Sequence, residues 1–70
     1  MNDNMKRLYD WCGEQRREAE KALDLYERGT MRFRINHVDV TEEQKASLRK
    51  IIEEMTKLIK RIEADEQGAT

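Results

Sequence analysis

The sequence predicts an all-α fold: a two-helix antiparallel hairpin with a short β-like connector, dimerising into a four-helix bundle. Three observations predict it. Between Thr41 and Glu66, the residues Leu48, Ile51, Ile52, Met55, Leu58, Ile59 and Ile62 recur at spacings of three and four, which places them on one stripe of a helix. Between Met5 and Arg28, Met5, Cys12, Ala19 and Tyr26 recur every seven residues. From Thr30 to Val40 the period changes from that of a helix to two.

The second of these helices, residues 42 to 65, has its start written in the sequence. Thr41 followed by Glu42, Glu43 and Gln44 fits a capping box, in which the Thr41 hydroxyl accepts from the Gln44 N–H and the Gln44 side chain reaches back. Glu42 and Glu43 suit the positive end of the helix dipole. Opposite the apolar stripe, Arg49/Glu53, Lys50/Glu54 and Glu53/Lys57 are spaced by four, the pattern of a solvated face. In heptad terms Ile52 and Ile59 fall at a, Leu48, Met55 and Ile62 at d, and Ile51 and Leu58 at g. That stripe is wider than a two-stranded seam uses, so it calls for more than one neighbour.

The first helix, residues 5 to 28, is preceded by three residues suited to an N-cap, Asn2, Asp3 and Asn4, and is closed by Gly29 in a left-handed conformation. Leu8, Gln15 and Ala22 join its seam, whose middle is lined by small side chains that let two helix axes approach. Tyr9, Trp11, Leu23 and Leu25 flank it. Gly13 stands inside the helix at about 1 kcal/mol relative to Ala, which predicts a weak point there. In the connector, residues 29 to 40, Met31, Phe33 and Ile35 alternate with Arg32, Arg34 and Asn36, then Val38 and Val40 alternate with Asp39. A tiny hairpin turning at Asn36-His37 and a single strand followed by a loop both fit. The connector is also long enough, fully extended, for a parallel crossover, although a chain folded back on itself is the simpler arrangement. The stripe fades after Ile62, predicting a frayed tail over residues 66 to 70.

Seventy residues allow one domain, here the single helical hairpin of residues 1 to 70, whose core supplies roughly 3–5 kcal/mol unless a metal, disulfide or second chain adds to it. The lone cysteine, Cys12, rules out an internal disulfide and points to a reducing, cytoplasmic setting, as does the lack of a signal-peptide core or a run of apolar residues long enough to span a membrane. The net charge of −1 is spread over both halves, which is not the footprint of a general nucleic-acid binder.

No catalytic constellation, cofactor loop or metal-ligand set is legible. Cys12 and His37 are a nucleophile and a base with nothing in their spacing to join them. His37 and Asp39 supply two metal ligands where a structural zinc site needs four. Cys12 on the seam reads as a small apolar residue. The sequence therefore predicts no enzyme and no cofactor. It predicts instead a small non-catalytic module, a homodimer that docks on a larger protein as adaptor or inhibitor. Leu48, Ile51, Ile52, Met55, Leu58, Ile59, Ile62, Leu8, Cys12, Ala19, Ala22 and Tyr26 form the self-association and core stripe, and Trp11, Arg32, Phe33 and Arg34 are the candidates for partner binding. The alternative is a nucleic-acid-associated regulator, with Arg32 and Arg34 on phosphates and Phe33 stacked or wedged. Against it, two arginines on an exposed strand also serve simply to block edge pairing, with Phe33 turned to the helices.

Overall fold

A computed structural model describes residues 2–68. Helix α1, Asp3–Glu27, leads through strands β1, Arg34–Ile35, and β2, Val38–Asp39, into helix α2, Thr41–Gly68. The two helices run antiparallel, because Arg16 bonds to Thr56 while the later Glu27 bonds to the earlier Arg49. The result is a rod of 53 × 20 × 17 Å.

Of the three candidate caps, Asn2 is the one used: its side-chain oxygen accepts from the Met5 N–H at 2.7 Å, satisfying one of the free donors of the first turn. α1 then runs unbroken through Gly13. The predicted weak point does not open, since one glycine costs only about 1 kcal/mol against the packing of the whole helix. At its far end Gly29 has φ 76, and the Gly29 and Thr30 N–H groups return to the carbonyls of Tyr26 and Leu25. This double bond pattern is the Schellman motif, which a left-handed residue after the helix allows.

The connector is a hairpin. Arg34 pairs with Asp39 and Ile35 with Val38, and the two-residue turn of Asn36 and His37 has φ values of 50 and 67. Positive φ at both central positions is the type I′ geometry, whose twist matches that of the flanking strands. Asn tolerates the left-handed region, whereas His adopts it at a cost of about 1–2 kcal/mol. We expect His37→Gly to stabilise the hairpin by about 1 kcal/mol, read as a rise in the melting midpoint, and no rise would contradict this backbone assignment.

The predicted capping box is not formed. Val40, not Thr41, provides the first helical carbonyl, accepting from the Gln44 N–H at 2.9 Å, so Thr41 is already inside α2. With the Gln44 N–H committed to Val40, the Thr41 hydroxyl oxygen accepts instead from the Phe33 N–H, and its proton goes to the Asp39 carboxylate. Nor does α2 fray at residue 66. It continues to Gly68, because Glu63 to Gln67 include no helix breaker; residues 69 and 70 of the expected tail lie outside the described residues.

The buried apolar side chains are few: Cys12, Ala19, Leu48, Ile59 and Ile62. Ile52, Met55, Ala22 and Tyr26 are half-buried, while Leu8, Ile51 and Leu58 are exposed although the sequence places them on the same stripe. The small seam residues Cys12 and Ala19 are where the helices close on each other, leaving Cys12 with no exposed surface.

Candidate functional site

Two surfaces are built by this fold. The first follows from the side on which each helix is polar. A helix turns by about 100° per residue, so a residue just after a buried position lies on one flank and a residue just before it on the other. Glu27 follows Tyr26, Arg49 follows Leu48 and Thr56 follows Met55, and these side chains, with Arg16, bond across the groove between the helices. Both polar flanks therefore meet on one broad side of the hairpin. Trp11 precedes Cys12, Leu25 precedes Tyr26, Ile51 precedes Ile52 and Leu58 precedes Ile59, so these four share the opposite broad side. They are exposed there by 49, 37, 41 and 36%. Leu8, 41% exposed, extends the same side toward the start of α1. The hairpin thus has one polar face and an opposite face on which these exposed apolar side chains stand together with Glu18 and Arg61, which precede the buried Ala19 and Ile62.

The second surface is the connector, held to α2 by a small knot of hydrogen bonds. Asp39 Oδ2 accepts from Arg32 Nε and Nη2 at 2.9 and 2.6 Å, and its Oδ1 accepts from the Thr41 N–H and hydroxyl at 3.0 and 2.5 Å. Thr41 Oγ1 in turn accepts from the Phe33 N–H at 2.9 Å. Thr41 is 4% exposed, so this one hydroxyl joins the incoming strand, the outgoing strand and the helix start. Around the knot Met31, Phe33, Ile35 and Val38 are exposed by 37 to 60%.

The Thr41 hydroxyl first, then the Thr41 N–H and Arg32, hold the Asp39 carboxyl well below the usual carboxylate range. A folded-state value below the unfolded one, about 3.9, gives stability that is complete above that value and is lost as pH falls below about 4 toward the folded value. We expect the Phe33 and Thr41 amide resonances to hold their positions down through pH 4 and to shift only in stronger acid. In Asp39→Asn they should differ already at neutral pH and no longer titrate. A midpoint near 3.9 in the native chain would show that the knot does not form.

The sequence-predicted residues sort as follows. Arg32 is committed to Asp39 rather than presented to a phosphate, and Arg34 lies in β1 opposite Asp39. Phe33 is neither fully turned into the helices nor free, since its backbone is tied to Thr41 while its ring is 37% exposed. Trp11 stands on the apolar face and not on the connector. Cys12 and His37 are not brought together: Cys12 lies within α1, fifteen residues or about 22 Å before its end, whereas His37 is at the connector tip. The Asp39 oxygens that might have joined His37 on a metal are occupied, and among the described residues no group of three or more His, Cys, Asp or Glu side chains is placed to hold an ion. A shallow hollow beside Gly13 is lined by Tyr9, Asp10, Glu14, Arg16, Arg17 and Ile59, mixing both charges; apart from Ile59 none of them is buried. The knot at Asp39 was missed from sequence. Its only legible trace is the Asp-x-Thr spacing before a helix, a common local bonding pattern.

No helix among the described residues is long and apolar enough to cross a membrane. In comparison with known proteins, no family model, no curated protein and no solved structure matches the chain.

Proposed function

We propose that the chain is a small, non-catalytic protein–protein interaction module that pairs with itself into a four-helix bundle and serves as an adaptor or inhibitor of a larger protein. The observation that carries this reading is the exposure of Leu8, Trp11, Leu25, Ile51 and Leu58 on one side of the two helices. Its size supports a second copy as the occupant. The hairpin exposes 5672 Å² for a mass of 8.4 kDa, whereas a folded monomer of that mass exposes roughly 4,600 Å². The excess of roughly 1,000 Å² is of the order of the 800 Å² or so that each partner buries in a standard interface. A core of five buried apolar side chains among the described residues also leaves the lone hairpin short of stability, and a second copy would supply the missing cover.

The connector, at one end of the rod, offers Met31, Phe33, Ile35 and Val38 as the surface for the larger partner. The experiment is molar mass by light scattering behind size exclusion, over a range of concentrations, with and without reductant. We expect about twice 8.4 kDa at micromolar concentration, unchanged by reductant because Cys12 is buried. A folded monomer throughout would overturn self-pairing.

A further inference from the structure

We infer that the two copies pair with their connectors at the same end, α1 of each lying over α2 of the other, a proposal that rests on self-pairing through the apolar face. Two ways of closing that face on a second copy keep every neighbouring helix antiparallel. With the two-fold axis along the rod, α1 meets the other copy's α2 and the connectors lie side by side. With the axis across the rod, α1 meets α1, α2 meets α2, and the connectors lie at opposite ends.

The charges bordering the face distinguish the two. These charges stand among and beside the apolar residues, Glu18 in the column of Trp11 and Leu25 and Asp65 in that of Ile51 and Leu58, and act as the e and g positions do in selecting partners in coiled coils. On α1 the border carries Arg7, Glu14, Glu18 and Lys21; on α2 it carries Glu54, Lys57, Arg61 and Asp65. Among the described residues, none of these is ion-paired inside the hairpin except Lys57, which meets Glu53 on its own helix. The register that sets Arg16 beside Thr56 and Glu27 beside Arg49 is the register in which α1 would face the other copy's α2 when the connectors share an end. In that register Arg7 comes level with Asp65, Glu14 with Arg61, Glu18 with Lys57 and Lys21 with Glu54, each to within about one helical turn. All four juxtapositions are of opposite charge, and the two-fold repeats them on the other side. Turning one copy end for end mixes the signs: Glu14 comes toward Glu18 and Lys57 meets its own counterpart, while Lys21 comes level with Glu14 and Glu54 with Arg61. Exposed pairs contribute little to affinity singly, but like charges across a border penalise the wrong arrangement, which is how charge sets orientation. A consequence is that two copies of Met31, Phe33, Ile35 and Val38 gather at one end of the bundle.

The test is a distance between nitroxide labels on Val38→Cys in a Cys12→Ala background, Val38 being 60% exposed on the connector. We expect a separation of about 20–35 Å, two or three helix widths. A separation near the 53 Å length of the rod would overturn the orientation while leaving self-pairing intact. Absence of any distance between copies would overturn both, the mass measurement on the native chain failing with it. With Cys12 retained, Lys21→Glu and Glu54→Lys should each weaken pairing roughly fivefold at low salt, since each places two like-charge contacts in the dimer. The double exchange should restore affinity to within about twofold of the native chain. A double variant no tighter than either single would overturn the same-end arrangement.

Discussion

Replacing Ile59 by Ala is expected to remove about 2–4 kcal/mol of stability, the range for truncating a buried Ile to Ala, and to abolish helical structure at temperatures where the native chain is folded. The magnitude follows from how little else is inside. Ile59 is 7% exposed and one of five buried apolar side chains among the described residues, so little neighbouring core can collapse into the space it vacates. A domain of this length holds roughly 3–5 kcal/mol in its core, and losing 2–4 of them leaves a chain at the edge of unfolding. The measurement is helicity by circular dichroism during urea unfolding, with native chain and variant at one concentration so that any association affects both alike. A loss under about 1 kcal/mol would mean that the contact between α1 and α2 is not the source of stability.

The contrast between Ile59 and its neighbour Leu58 shows where reading a sequence of this kind stops. Both lie on the stripe that periodicity reveals, and the pattern that predicts α2 treats them equally. Which of them faces α1 depends on the rotation of α2 about its own axis, which is set by side chains more than thirty residues away, where Arg16 meets Thr56 and Cys12 and Ala19 let the helices approach. The hairpin of helices, the small-residue seam and the turn at Asn36-His37 are legible because each is a local or periodic property. The same is true of the Gly29 stop, since only the residue itself must adopt φ 76. The capping box at Thr41 was misread for the opposite reason. A local motif was complete in the sequence, but Asp39 two residues earlier takes the hydroxyl's proton and the Phe33 N–H eight residues earlier takes its oxygen, while the Gln44 N–H goes to Val40. Arg32 likewise reads as a free cation until the strands fold back and bring Asp39 to it.

Leu58→Asp is the change from which the largest effect on association is expected, and the hairpin itself should lose less stability than it does on truncation of Ile59. Leu58 is 36% exposed on the face it shares with Trp11, Leu25 and Ile51, against 7% for Ile59, so in a single hairpin the substitution gives up less buried area than a change at Ile59 and leaves the carboxylate in reach of water. If that face is closed by a second copy, each dimer must desolvate two carboxylates that have no cation placed opposite them. Burying a polar group without a partner costs about 1–3 kcal/mol, and more when it is charged. Two such groups weaken the dimer by about 100-fold or more, given a tenfold change for each 1.4 kcal/mol. The comparison is Ala46→Asp, an equal change in charge at an exposed position of α2 away from the apolar face. A dilution series by light scattering should show Leu58→Asp as a monomer at concentrations where the native chain and Ala46→Asp remain paired. Equal weakening by both substitutions would trace the effect to net charge, and no weakening by either would mean that the apolar face is not where copies of this chain meet. A Leu58→Asp chain that is monomeric yet still helical would separate the two roles of the stripe, Ile59 and Ile62 holding the hairpin together and Ile51 and Leu58 reserved for what the hairpin binds.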